Sequence, residues 1–100
     1  MTLFKPSGQL LPLNRFRAAL ADGADPNECW QSSDGEQTHH PLLVAAQRHI
    51  HHLRLLLAHP KIHIAAKGRD GSTALIVAAK YNHVQAIGPL IRAGVPVNQA

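Results

Sequence analysis

Eight histidines in a chain of 100 residues are the first side chains that could do chemistry. His49, His51 and His52 lie near His59 and His63 in sequence, and His39 and His40 come just before. Imidazole is the commonest transition-metal ligand, and it titrates near pH 6.5. A metal site, however, needs three or four ligands meeting at one point. Neither a His-Glu-x-x-His run nor a pair of closely spaced cysteines is present. The cluster therefore reads as polar positions on helices and turns, with metal binding or pH sensing as the alternative, and no metal is expected. Cys29 is the single cysteine, which excludes an internal disulfide. No base or helix terminus can be placed beside it to generate a thiolate.

Other catalytic patterns are missing too. The chain has no Gly-rich phosphate loop, nucleophile elbow or paired-carboxylate arrangement. Gly68-Arg69-Asp70-Gly71 is a turn without the flanking strand that phosphate binding needs. Neither an enzyme nor a cofactor is expected. Ten Lys and Arg against six Asp and Glu give a net charge of +4. The basic residues are scattered from Lys5 to Arg92 and form no stripe, which argues against nucleic acid. They fit a protein partner with an acidic patch instead. No apolar run approaches the roughly 20 residues of a membrane span, and the N-terminus lacks a signal peptide's apolar stretch. A cytoplasmic setting without membrane contact is the expectation.

Alanine and leucine carry most of the apolar content and aromatics are 4%, a balance that favours close-packed helices. The segments are arranged periodically. Leu42-Leu43-Val44-Ala45-Ala46 and Leu75-Ile76-Val77-Ala78-Ala79 differ at one position in five and are offset by 33 residues. Each follows a polar, Gly-containing stretch and precedes a second apolar helix, residues 53–58 and 86–91. A partial third copy comes first: residues 16–27 read as a second helix with its exit, similar to residues 90–98. Gly23 and Gly94 then fall just past helix ends, where a left-handed residue stops a helix at least cost.

These motifs resemble the ankyrin repeat. Gly71-Ser72-Thr73-Ala74-Leu75-Ile76-Val77-Ala78-Ala79, continuing through Lys80-Tyr81-Asn82-His83, is similar to that family's Gly-x-Thr-Pro-Leu-His-x-Ala-Ala-x-x-Gly-His pattern. Residues 90–98 are similar to its Leu-Leu-x-x-Gly-Ala-x-Val-Asn ending. The resemblance implies an all-α solenoid of about three helix–turn–helix repeats joined by short hairpin loops. Residues 1–34 would form a degenerate N-terminal capping repeat, followed by repeats at 35–67 and 68–100. Thr73 would cap its helix by accepting a backbone N–H, and Asn82 would take the left-handed turn. Leu75, Ile87, Leu90 and Ile91 would bury against the neighbouring repeat.

The departures are specific. His40 stands in place of the capping threonine in the middle repeat. The middle inter-helix turn is one residue short around Arg48-His49-Ile50. Pro89 lies inside the last helix and should kink it. The connection from Asn27 to Pro41 is about five residues longer than its counterparts. Phe4, Leu10, Leu11, Leu13 and Phe16 are expected to form a degenerate helix over the open end, because a repeat buries its apolar face only against neighbours. No such cover is legible at the C-terminal end, so the protein is expected to be a monomer or to be capped there by a partner.

By the same resemblance, partners dock on the concave face, at the turn tips and the exposed sides of the first helices. Carried over by position, the last repeat offers Lys67, Arg69, Asp70 and Ser72 at its tip, then Lys80 and Tyr81. The middle repeat offers Glu36, Gln37 and His39, then Gln47 and Arg48. Trp30 either flanks this face or covers the N-terminal core. Trp, Tyr and Arg are the types that carry binding energy at interfaces. The expected role is a non-catalytic interaction module, adaptor or inhibitor. A bacterial immunity-type protein that neutralises a toxin, or a fragment of a larger scaffold or enzyme, is the alternative.

Overall fold

A computed structural model describes residues 2–35, 37–68 and 71–95. Helix α1 spans Leu13–Ala21, and a two-stranded sheet of β1 (Trp30–Gln31) and β2 (Thr38–His39) follows. Four helices complete the order: α2 (Pro41–Arg48), α3 (Ile50–Leu57), α4 (Ala74–Lys80) and α5 (Val84–Ala93).

The repeated Leu-x-Val-Ala-Ala segments form α2 and α4, which pack against each other. Ala45, Ala46, Ala74 and Ala78 are fully buried there, and their methyl groups let the two backbones approach closely. The second helices form another row, with α3 against both α1 and α5. Leu53 and Leu56 of α3 meet Leu90 and Ala86 of α5 in one core that extends to Phe16 of α1. Burying such a leucine contributes about 1.5–3 kcal/mol. The chain is thus two helical hairpins side by side, with α1 continuing the outer row.

Turn chemistry sets the hairpin geometry. Between α4 and α5 the chain turns through Asn82, the one positive-φ non-glycine residue among those described, at φ 56°. Gly94 closes α5 at φ 88°. Only His49 separates α2 from α3, a tighter junction than the three residues between α4 and α5.

The structure departs from the sequence reading at four places. The fold is helical but not purely so: the long first connection pairs Trp30 with His39 and Gln31 with Thr38, antiparallel. The extra residues form the turn that this pairing needs, with the Ser32 N–H donating to the Gln37 carbonyl at 2.9 Å. The N-terminal cover is not a helix. Phe4 and Leu10 face each other in an antiparallel bridge around a tight loop, and the Leu11 N–H donates to the Leu3 carbonyl at 2.9 Å. Pro6, Gly8 and Pro12 interrupt any helical run there. Leu3 and Phe4 are nevertheless buried, so the segment still covers the end of the core.

The caps are exchanged. Thr73 occupies the N-cap of α4 but makes no capping bond and is fully buried. His40 does cap its helix, its Nδ1 accepting the Leu42 N–H at 3.1 Å. Ile91 is 54% exposed rather than buried, because Ala86 and Leu90 occupy the buried positions of α5, and Val84 is exposed as well. Helix α5 runs unbroken through Pro89 from Val84 to Ala93.

Candidate functional site

The histidines are tied into the scaffold one by one. His39 Nδ1 donates to the Gly8 carbonyl at 3.1 Å, and His52 Nε2 to the Leu11 carbonyl at 2.8 Å. The first holds the N-terminal loop to β2 and the second holds it to α3. His83 Nδ1 donates to the Ala46 carbonyl at 2.9 Å and joins the two helical hairpins. His59 Nδ1 accepts the Lys61 N–H at 3.1 Å. No three potential metal ligands come together among the described residues. Burial pushes the His40 imidazole down to about 4; nearby His63 adds to that and Asp25 opposes it. Partial burial also lowers His49, helped by His52, His83 and Arg48. Cys29 is exposed, with burial and Asp25 raising its pKa, so it is held as a thiol.

The residues expected to meet a partner fall into three groups. Arg48, at the end of α2, and Lys80 with Tyr81, at the end of α4, are exposed, and α2 and α4 pack against each other. Gln47 is half-buried beside them. Gln37 and Lys67 are exposed on the loops that lead into these helices.

Trp30 and His39 are engaged within the chain. Their rings stack at 4.9 Å, and the indole lies against Gly8. Ser72 is only 3% exposed, and its hydroxyl accepts from Lys80 Nζ at 3.0 Å, so it supports Lys80 from beneath the surface. Glu36, Arg69 and Asp70 lie outside the described residues.

The α4–α5 hairpin, with Asn82 in its left-handed turn and His83 bonded back to the preceding hairpin, sets the comparison with known proteins. Residues 70–100 match the ankyrin repeat family. Ankyrin repeats generally mediate protein–protein interaction and are typically non-catalytic. No curated protein matches the chain. No helix of the described residues is long and apolar enough to cross a membrane.

At the other end of the chain, the N-terminal loop leaves an opening that the sequence reading missed. A cleft of about 590 Å³ lies between that loop and α2 and α3. Leu10, Leu11 and Val44 supply its apolar lining, and Lys5, Gln9 and Gln47 line it as well. His39, His49 and His52 complete the wall. The sequence signal was present in Lys5-Pro6-Ser7-Gly8, a turn composition inside what otherwise reads as a helix.

Proposed function

We propose that the protein is a non-catalytic interaction module, an adaptor or inhibitor, that docks an acidic partner on the face built by α2, α4 and the tips that precede them. One observation carries this reading. Helices α2 and α4 pack against each other, and Arg48 at the end of α2 and Lys80 and Tyr81 at the end of α4 are all exposed. Two basic residues and an aromatic residue on packed helices suit an anchor for an acidic surface. The ankyrin repeat at 70–100 supports the same class of function. In this reading residues 1–34 form the capping unit, with repeats at 35–67 and 68–100 stacked into a short solenoid that works in the cytoplasm. The concave surface is its docking face.

Affinity purification coupled to mass spectrometry would identify the partner. Arg48→Glu and Tyr81→Ala should then each weaken its binding by about tenfold or more, as for residues central to an interface. Unchanged affinity in both variants would refute the proposed face.

A further inference from the structure

The cleft under the N-terminal loop carries a more specific inference. Its polar wall is one-sided: Lys5, His39, His49 and His52 line it, and among the described residues no Asp or Glu does. Gln9 and Gln47 add neutral amides, and Leu10, Leu11 and Val44 provide an apolar surface beside them. Two of the imidazoles have fixed tautomers. His39 commits Nδ1–H to Gly8, and His52 commits Nε2–H to Leu11. Each keeps its second ring nitrogen, an acceptor while the ring is neutral and a donor once it is protonated.

We propose that this cleft takes the carboxylate of an Asp or Glu side chain from the partner, with a neighbouring apolar side chain against Leu10 and Val44. The inference rests on the interaction-module reading and names the chemistry of one contact within it. Lys5 supplies a fixed positive charge. His49, lowered in the free protein by burial and by its basic neighbours, supplies charge on demand, because a bound carboxylate favours its protonated form. Among the described residues, the charged and titratable groups around the cleft are Lys5 from the loop, His39 from β2, Arg48 from α2, and His49 and His52 from α3. His83, at the start of α5, acts on His49 as well. All are basic. Binding therefore takes up protons and strengthens as the pH falls from 8 to 6.

The test uses the full chain, isotope-labelled, with the probe N-acetyl-Leu-Glu-Leu-amide followed by NMR. The peptide should shift the amides of Gly8, Leu11 and Gln47 saturably, and its affinity should rise at least threefold between pH 8 and pH 6. The Gln analogue should bind at least fivefold more weakly. Lys5→Gln and His49→Gln, neither of which removes a hydrogen bond described above, should each lower affinity for the Glu peptide while leaving the remaining spectrum folded. Equal binding of the Glu and Gln peptides would overturn the proposal, since the cleft would then be reading apolar groups alone. So would non-saturating shifts spread over all basic residues. Tighter binding of N-acetyl-leucine would overturn it in favour of a chain-terminal carboxylate. Failure here leaves the Arg48 and Tyr81 test of the interaction face standing, and failure of that test leaves this site standing.

Discussion

The side-chain oxygen of Asn27 accepts the backbone N–H of His63 at 2.8 Å, across 36 positions of the chain. The same amide donates to the Lys61 carbonyl, also at 2.8 Å. One side chain thus joins the loop after α1 to the loop after α3. Asn27→Ala removes both bonds and should cost about 1–3 kcal/mol, at roughly 0.5–1.5 kcal/mol per bond. Urea denaturation should show a lower midpoint with an unchanged slope. An unaltered midpoint would mean that the loops are held by other contacts.

His40 makes stability depend on pH. In the unfolded chain its ring takes up a proton near pH 6.5. In the folded chain it does so only at about 4, because it is buried and its Nδ1 must stay free to accept from Leu42. Its contribution is therefore present above pH 6.5 and is lost as the pH falls toward 4. His49, also lowered, acts in the same direction. His40→Thr keeps a capping acceptor and removes the titration. Its melting temperature should fall less than the parent's between pH 7 and pH 5, and parallel curves would disprove the assignment.

Gly8 sits at φ +91°, and a Cβ there would come within 3.0 Å of the Trp30 ring. Gly8→Ala would meet both the left-handed backbone cost of about 1–2 kcal/mol and this clash. The N-terminal loop should loosen before the helices do. Hydrogen exchange at the Leu11 amide, which is bonded to Leu3, should accelerate while the amides of α4 stay protected. Equal protection of Leu11 in both proteins would contradict this.

Pro89 has no N–H to give the fourth carbonyl before it, that of Gln85. Helix interiors disfavour proline by about 3 kcal/mol relative to alanine, part of which α5 has absorbed by packing. Pro89→Ala should raise stability by about 1–3 kcal/mol, or roughly 4–20 °C in melting temperature for a domain of this size. A neutral or destabilising outcome in calorimetry would show that the ring's packing outweighs the missing bond.

The paired helices were readable because a 33-residue offset between two nearly identical segments fixes which alanines must meet. Asn82 was readable because few residues other than glycine enter the left-handed region. The N-terminal loop was not. Phe4, Leu10, Leu11, Leu13 and Phe16 have spacings that a helix could satisfy, and the decisive Pro6, Gly8 and Pro12 lie between them. The caps show a different limit. A Thr hydroxyl and a His ring are both competent acceptors, and tertiary packing decided that His40 would use the helix N–H while Thr73 would not. Ser72 was placed at the tip by register alone, which says nothing of the Lys80 side chain lying over it. The cleft could not be read at all, since it is space between segments about 40 positions apart.

The stacking of Trp30 on His39 and Gly8 gives the N-terminal end its own optical label. The chain has one tryptophan and one tyrosine. The indole, in β1, lies against the docked N-terminal loop, while Tyr81 stands half-exposed beyond α4. Indole emission, sensitive to the packing of Gly8 and His39 on the ring, follows undocking of that loop. Phenol emission follows events at the other hairpin. Intrinsic fluorescence can therefore separate the order in which the two ends let go, without any added dye.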